Sequence, residues 1–284
     1  MSAPIDIEIP ELNYNKREGY FTDMPNDEYH SIDGISSTLL EDLELSVSIY
    51  EHREHFKHHR PAYDMGNFIH DALAFPESFK DMYLECATLG LDTIQAKKQR
   101  EDNPTKTIVA KGSFDVIDEI RLKVQLVYGQ YMALGAKECS FIFTDDDTGL
   151  VTKVRPDLHL LEHGVILDYK STKETTHAGF LKTIEPYNYH RSASWYIDNV
   201  NKAIEKFNLP FKKVTQFGWI CIPKTAPYKP FGFMASEELI EKGREDYQRL
   251  INKLLEVRRT GKDELFKVAH SWEYRKQMNG ENNE

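Results

Sequence analysis

Residues 155–172, RPDLHLLEHGVILDYKST, combine carboxylates and an amine in a pattern that suits chemistry on phosphate esters. Asp168 and Lys170 lie two positions apart in a run of apolar and β-branched residues, which is typical of a strand. On a strand, side chains two residues apart leave the same face. The spacing therefore predicts that this carboxylate and this ammonium group face one common site.

A turn predicted at residues 162–164, Glu-His-Gly, brings a third charged group near these two. The turn makes the flanking strands a hairpin, in which Leu161 lies near Val165 and Asp157 falls opposite Tyr169. The second carboxylate would then lie close to both the first carboxylate and the amine. Since the geometry of the turn sets the register, the sequence leaves the pairing itself open.

Two carboxylates and an amine at one point have a clear chemical use. Asp157 and Asp168 can hold Mg²⁺, a hard cation that prefers oxygen ligands and keeps several waters. Such an ion polarises a phosphoryl oxygen and lowers the pKa of a bound water, while Lys170 orients that water or stabilises charge in the transition state. The alternative is a salt bridge on an exposed hairpin, because the Asp-x-Lys spacing alone is common.

The rest of the sequence predicts a layered fold that would position this hairpin. Apolar residues at helical spacing predict helices over 35–56, 64–75, 113–136, 186–206 and 236–260. Alternating or β-branched runs predict strands over 139–144, 150–161, 165–172 and 214–222, with the first three forming a meander. Residues 90–112 are predicted to be a loop or a helix end. This order of elements indicates a mixed α/β or α+β fold.

Length alone predicts one large domain or two small ones, and the composition is typical of a soluble globular protein. The chain has 284 residues, of which 1–26 are predicted to form an N-terminal arm, 27–276 a single domain and 277–284 a flexible tail. No apolar run approaches the roughly 20 residues that span a bilayer, and the N-terminus lacks the pattern of a signal peptide. We therefore expect a cytoplasmic protein without a membrane partner.

The net charge of -10 lowers the expectation of a protein that coats nucleic acid, because phosphates attract basic surfaces. A nuclease is affected less, since it needs only a local basic track and also needs clustered carboxylates for metal ions. The three cysteines are far apart and form no C-x-x-C pair, which argues against a zinc ribbon or an iron–sulfur cluster.

Four separate pieces of the sequence resemble one nuclease family. The RPD…DYK pattern is similar to the P-D…(D/E)-x-K signature of the restriction-endonuclease-like superfamily. EYHSIDGISSTLLEDLELSVSIY, MGNFIHDALAFPESF and the aromatic strand after Glu138 resemble, in this order, segments of the RecE-type exonuclease domain, exodeoxyribonuclease VIII, and of its phage relatives. Together the pieces cover most of residues 27–200. The resemblance implies a restriction-endonuclease-like core, in which helices flank a small mixed central sheet.

The resemblance also implies a fuller metal site. The ligands expected for Mg²⁺, or for Mn²⁺ as its substitute, are His70, Asp157, Asp168, the backbone carbonyl of Tyr169 and Glu138. The catalytic residues expected are Lys170 and the two aspartates. Without the resemblance, the sequence favours a half-buried or surface histidine on a helix at His70, and an ordinary charged residue at a strand end at Glu138.

Predicted contacts with DNA lie just beyond this metal site and on the following helix. The candidates are Ser171, Thr172, Lys173, Arg191 and Tyr196. The first three form a hydroxyl and basic cluster that suits phosphate oxygens. Tyr196 fits a tyrosine of the family, whereas Ser192 stands where the family usually has Gln, which puts a direct substrate contact there in doubt. A solvated helix face explains Arg191 equally well.

These residues and the resemblance predict a Mg²⁺-dependent DNA exonuclease that hydrolyses phosphodiester bonds of linear double-stranded DNA. The resemblance implies 5′-to-3′ digestion from double-stranded DNA ends, which leaves 3′ single strands for recombination. It also implies a ring-shaped homo-oligomer, a single-strand annealing protein as partner and, for a phage protein, the host cytoplasm. Two alternatives stay open: an endonuclease or repair nuclease of the same superfamily, and a non-catalytic protein with a nuclease-like fold that binds DNA ends.

Overall fold

A computed structural model describes residues 18–55 and 61–261, with the backbone alone for residues 55 and 61–64. The helices are α1 (Asn26–Ser31), α2 (Leu39–Leu45), α3 (Val47–Glu51), α4 (Pro61–Ala74), α5 (Phe79–Met82), α6 (Ile94–Asp102), α7 (Ser113–Leu134), α8 (His177–Ile184), α9 (Tyr189–Lys206) and α10 (Glu237–Thr260). The strands are β1 (Gly19–Phe21), β2 (Tyr83–Glu85), β3 (Thr107–Val109), β4 (Ala136–Lys137), β5 (Ser140–Thr144), β6 (Val151–Val154), β7 (Leu158–Leu160), β8 (Val165–Thr172), β9 (Gln216–Pro223) and β10 (Phe231–Met234). The predicted tail, 277–284, and most of the predicted arm lie outside the described residues. Within the described part, no helix is both long and apolar enough to span a bilayer.

The strands form three sheets, of which a five-stranded one is central. Its order is β10-β9-β8-β7-β4. β8 pairs with β9 in parallel and with β7 in antiparallel orientation, so this sheet is mixed. A three-stranded sheet in the order β1-β5-β6 and a parallel pair of β2 and β3 complete the strands of the described residues. The mixed α/β fold predicted from the order of elements is confirmed.

β8 lies between two apolar cores, which explains the apolar run at its start. On one face, Ile166 joins a core that includes Trp219 of β9 and Leu254 of α10. On the other face, Leu167 joins a core that includes Phe68 of α4. A strand that is covered on both faces is apolar at every position rather than at alternate ones. The charged residues later in β8 are therefore held inside the fold rather than on its surface.

The strand predicted over 150–161 is wrong as a single strand, and so is the three-stranded meander. The chain forms β6 and β7, which are separated by Arg155, Pro156 and Asp157. β6 pairs with β5 in the three-stranded sheet, whereas β7 pairs with β8 in the five-stranded sheet. Pro156 has no N–H to donate to a ladder, which favours a break there. Asp157 therefore stands where the chain passes from one sheet to the other.

The hairpin of β7 and β8 has a register one residue different from the predicted one. Leu160, and not Leu161, lies opposite Val165, because the turn spans residues 161–164. The N–H of Gly164 donates to the carbonyl of Leu160 at 3.0 Å, and Gly164 adopts a left-handed φ of 65°. A one-residue change of register matters because it exchanges the faces on which paired side chains meet.

Three other predicted elements also differ from the structure. The helix predicted over 35–56 is divided into α2 and α3, because Ser46 is extended and its Oγ accepts the N–H of Ile49 at 3.0 Å. Residues 90–112, predicted to be a loop or a helix end, contain α6 and β3. The predicted N-terminal arm contains β1, which pairs with β5 and so belongs to a sheet.

Candidate active site

Asp168 and Lys170 lie on the same face of β8, as their spacing predicts. Lys170 Nζ is 2.5 Å from Asp168 Oδ2, so the two side chains form an ion pair. The Asp168 side chain is only 8% exposed, and the ammonium group lies 5.2 Å from the centre of the Tyr189 ring. The start of α9 therefore covers this pair and keeps most of the surrounding water away.

Asp157 reaches the same site from the start of β7. Extending the observed ladder of β7 and β8 by one residue places Asp157 opposite Asp168. The predicted position opposite Tyr169 is therefore wrong by one residue. The Tyr169 N–H nevertheless donates to Asp157 Oδ2 at 2.6 Å. Two acidic side chains thus share one end of the hairpin, and each raises the cost of charging the other unless cations lie beside them.

His70 joins the site from α4, on the other side of the sheet. Its Nε2 is 3.1 Å from Asp157 Oδ1. Gly66, one turn earlier in α4, lets the helix approach β8 closely: a Cβ at Gly66 would lie 3.2 Å from Ser171 Oγ, which is tighter than an ordinary contact. The structure therefore brings His70 and Asp157 together, as the resemblance implies.

Glu138 is a third acidic group, placed between β4 and β5. Its backbone is left-handed, with φ of 51°, a conformation that costs free energy for a residue with a side chain. Its Oε1 is 3.2 Å from His70 Nε2. One ligand atom from each of His70, Glu138 and Asp157 lies within 4.8 Å of the other two. Among the described side chains, this is the group whose spacing suits a metal ion.

Burial and mutual repulsion set the protonation of the carboxylates. Burial raises the pKa of Asp168 to about 6, with Lys170 opposing the rise and Asp157 adding to it. Burial likewise raises the pKa of Glu138, which the contact with His70 partly offsets. Burial acts in the same direction on Asp157, but His70 and Lys170 outweigh it and hold the pKa of this carboxyl below its usual value. Asp157 is therefore the most firmly anionic of the three.

The same carboxylates keep the two basic groups protonated. Burial lowers the pKa of Lys170, but Asp168 and Asp157 outweigh burial and raise the pKa above its ordinary value. Burial also lowers the pKa of His70, but Asp157, Asp71 and Glu138 together hold it well above the ordinary value. A metal ion competes with a proton for an imidazole nitrogen, so metal binding at His70 would release that proton.

The donor set fits a small divalent cation. Glu138 Oε1 and Asp168 Oδ2 are buried carboxylate oxygens, and the close partner of each among the described residues is a positive group, His70 and Lys170 respectively. Carboxylate oxygens with one imidazole suit Mg²⁺ or Mn²⁺ better than a metal that prefers thiolates. The predicted ligands His70 and Asp157 belong to this set, and the carbonyl of Tyr169 stays a prediction.

The residues predicted to contact DNA differ in their distance from this site. Ser171 and Lys173 lie at the end of β8, and Lys173 is exposed. Thr172 is buried. Tyr196 of α9 is partly buried, and burial raises its pKa, with Tyr29, Asp168 and Asp157 adding to the rise, which indicates that Tyr196 lies near the site. Ser171, Lys173 and Tyr196 are therefore the candidates that a bound strand could reach.

Arg191 is a correction to the predicted contacts with DNA. Its side chain is buried, with 1% of the residue exposed, and its Nη1 donates to Glu44 Oε2 at 2.7 Å. The helix face that carries Arg191 is covered by α2 and α10 rather than by solvent. Arg249 of α10 contacts the same carboxylate, so Glu44 joins three helices. Arg191 therefore stabilises the helical layer and is not available to a phosphate.

Arg155 and Tyr29 are neighbours of the site that the sequence analysis did not assign. Arg155 Nε donates to Ser140 Oγ at 2.7 Å, and its guanidinium lies 4.1 Å from the centre of the Tyr29 ring. The positive charge of Arg155 also opposes the rise in the pKa of Glu138. Arg155 belongs to the motif RPD and Tyr29 to the motif EYH. Their presence in these motifs was the sequence feature that could have indicated a place near the site.

Comparison with known proteins agrees with this geometry. Residues 46–264 match the family described as PDDEXK-like domain of unknown function, DUF3799. The chain belongs to this family. The fold of this PDDEXK-like domain is similar to that of a "putative exonuclease" from Eubacterium rectale, with a TM-score of 0.58 and 14% identity, over 89% of this chain and 98% of that chain. No curated protein matches the sequence. The expected PD-(D/E)XK nuclease core is therefore confirmed.

Proposed function

We propose that this PDDEXK-like domain is a divalent-metal-dependent nuclease, and that it is an exonuclease acting on the ends of linear double-stranded DNA. The observation that carries the proposal is the contact of His70 with both Asp157 and Glu138, at 3.1 and 3.2 Å, beside the ion pair of Asp168 and Lys170. Hydrolysis of a phosphodiester needs an activated water and stabilisation of negative charge. The site offers metal ligands for the first need and an amine for the second.

The residues that would hold Mg²⁺ are His70, Glu138, Asp157 and Asp168, with the carbonyl of Tyr169 as a further ligand. When bound, the ion supplies a Lewis acid for a phosphoryl oxygen and a water of lowered pKa. Asp157 is kept anionic by its neighbours, whereas Asp168 takes up a proton near pH 6. Both aspartates are therefore largely anionic at neutral pH and can accept a cation, and the proton that metal binding would release there is the one on His70.

Lys170 is the proposed catalytic amine. Its ammonium group stays protonated, because the two aspartates raise its pKa. In this form it donates hydrogen bonds, so we assign to it the orientation of the attacking water and the stabilisation of charge on the phosphoryl oxygens. Loss of one donor of this kind typically lowers kcat by about 10²–10³-fold.

The finer features of the proposal rest on the resemblance of the motifs. They are digestion in the 5′-to-3′ direction, production of 3′ single strands for recombination, a ring-shaped homo-oligomer and cooperation with a single-strand annealing protein. The place of action proposed is the cytoplasm, which is the host cytoplasm for a phage protein. The Eubacterium rectale protein carries the name "putative exonuclease", which supports the preference for DNA ends.

A nuclease assay on labelled DNA tests this proposal. The wild-type protein is incubated with linear duplex labelled at the 5′ or the 3′ end, and with closed circular duplex, each with Mg²⁺ or with a chelator. We expect Mg²⁺-dependent digestion of the linear duplex from its 5′ ends, with the circle left intact. Cleavage of the circle would show an endonuclease, and binding without cleavage would show an end-binding protein. Either result would overturn the proposal.

Two near-isosteric variants test the assigned site in the same assay. We expect Asp168→Asn and Lys170→Gln each to lose hydrolysis by about 10²-fold or more. Lys97→Gln is the matched control, because Lys97 is an exposed lysine on α6. Circular dichroism establishes that each variant is folded. Full activity in either folded site variant would remove that residue from the mechanism.

A further inference from the structure

Two lysines stand side by side where the parallel strands β8 and β9 end. In the register of these strands, Thr172 lies opposite Pro223. The N–H of Lys224 then donates to the carbonyl of Thr172 at 2.8 Å. Lys173 and Lys224 are therefore the first residues after the two strands, and they leave the sheet at the same edge. Ligands of open sheets bind at the carboxyl ends of parallel strands, which makes this edge a candidate binding surface.

Both lysines belong to the face of the sheet that α4 covers. Asp168 and Lys170 point to one face of β8, so Tyr169 and Ser171 point to the other, where Ser171 Oγ lies close to Gly66 of α4. The same alternation continued by one step places Lys173 on this second face. Lys224 lies two residues after Ile222, so the same alternation places both on one face of the sheet. Ile222 shares an apolar core with Tyr169, which identifies this face as the one that α4 covers. The two ammonium groups thus extend from one side of one edge.

Lys173 and Lys224 lack a carboxylate partner among the described residues, in contrast to other lysines of the fold. Lys202 and Lys206, for example, are paired with the acidic turn at 145–147. Burial lowers the pKa of Lys224, and the positive charge of Lys173 lowers it further. Two like charges held together without a counterion repel each other, and an anion between them would remove that repulsion.

The position of α4 adds positive potential at the same edge. His70 lies beside Tyr169, and Gly66 lies beside Ser171, so α4 and β8 run in opposite directions. The N-terminal end of α4 therefore lies beyond Ser171, in the direction of Lys173. The N-terminus of a helix carries a partial positive charge. This helix end supports the site, whereas the unpaired lysines are the groups that define it.

We propose that Lys173 and Lys224 together bind a phosphate of the nucleic-acid backbone next to the bond that is hydrolysed, an inference that rests on the proposed function. The bound phosphate is not the reacting one, because Lys173 lies three residues beyond Lys170, or roughly 10 Å along an extended strand. The pair therefore positions the substrate strand. Lys173 was a candidate from the sequence, and the structure supplies Lys224 as its partner.

The salt dependence of DNA binding tests this pair directly. Binding of a labelled duplex is measured in the presence of a chelator over a series of salt concentrations, for the wild-type protein and for Lys173→Gln/Lys224→Gln. Loss of the one phosphate contact that the two lysines share is expected to reduce the magnitude of the slope of log K against log salt by about 0.9. In the Mg²⁺ assay, we expect KM for DNA to rise more than kcat falls.

Two matched variants separate this effect from a change of net charge or of folding. Lys97→Gln/Lys98→Gln removes the same charge from exposed positions of α6 and is expected to keep the wild-type slope. Lys173→Arg/Lys224→Arg keeps both charges and is expected to keep it as well.

The outcomes distinguish this proposal from the proposed function. A wild-type slope in the folded Gln double variant would overturn the phosphate site, even if the wild-type protein digests DNA. A wild-type protein that binds duplex but leaves it uncut would overturn the nuclease proposal. The salt slopes would in that case still test whether Lys173 and Lys224 bind a phosphate. Failure of the wild-type protein to bind duplex at low salt would overturn the lysine site.

Discussion

Gly66 is the position at which a small change should damage the site most while leaving the fold intact. It lies one turn before His70 on α4 and faces Ser171 of β8, where a Cβ would be 3.2 Å from Ser171 Oγ. We predict that Gly66→Val pushes α4 away from β8 and so separates His70 from Asp157. Gly66→Ala is the milder change, since it requires a shift of only a few tenths of an ångström.

The size of the effect follows from these contacts. A valine methyl extends about 1.5 Å beyond the Cβ, so α4 must move by roughly 1 Å to accept it. Overpacking of this kind costs about 1–3 kcal/mol of unfolding free energy. The contact of 3.1 Å between His70 and Asp157 would be lost, and a misplacement of about 1 Å in a catalytic site lowers the rate by about 10²-fold. The expected signature is a large loss of activity with a small loss of stability.

The assay compares nuclease activity, Mn²⁺ affinity and urea unfolding for the wild-type protein, for Gly66→Val and for two further variants. Gly129→Val is the matched control on α7, because a Cβ at Gly129 would meet chiefly the end of the flexible Gln125 side chain. Adding Ser171→Gly to Gly66→Val removes the obstructing hydroxyl and should recover part of the activity. Wild-type activity and Mn²⁺ affinity in folded Gly66→Val would refute the reasoning.

Three further predictions concern stability. Arg155→Met leaves Ser140 Oγ and the carbonyl of Met24 without their donor, and we expect a loss of about 2–4 kcal/mol in urea unfolding. Burial raises the pKa of Asp145, but Lys202 outweighs burial, so the pKa in the folded protein is below the ordinary value. This carboxylate therefore stabilises the fold above pH ~3.9, and its contribution is lost as the pH falls through the lowered pKa of the folded state. Asp145→Asn should therefore destabilise the protein at pH 7, by an amount that shrinks below pH ~4 in acid titrations. Mn²⁺ at about 100 times its Kd should stabilise the metal-free protein by about 2.7 kcal/mol in thermal unfolding, and an unchanged melting temperature would contradict a metal site.

The sequence was sufficient for the part of the site that depends on alternation within one strand. Asp168 and Lys170 share a face in any register, because side chains two residues apart always do. The prediction of a meander was wrong for a reason present in the sequence, since Pro156 separates β6 from β7 and these strands pair in different sheets. The register of the hairpin failed by one residue, because nothing in the sequence fixes whether a turn has three or four residues.

The rest of the site depends on contacts between distant segments. Arg191 pairs with Glu44, which is 147 residues away in the chain, so its burial could not be inferred from the helix that carries it. Lys224 reaches Lys173 only because β8 and β9 are parallel neighbours. Glu138 was placed near the metal by family resemblance, and its left-handed backbone between two strands has no sequence signal of the kind that glycine gives.

Anomalous diffraction from crystals soaked in Mn²⁺ tests the metal site most directly. We predict one strong peak within coordination distance of His70 Nε2 and Asp157 Oδ1, with Glu138 or Asp168 as a further ligand, and its loss in crystals of Asp157→Asn. A peak at the acidic turn 145–147 and none beside His70 would contradict the account. So would a peak beside His70 that persists unchanged in the Asp157→Asn variant.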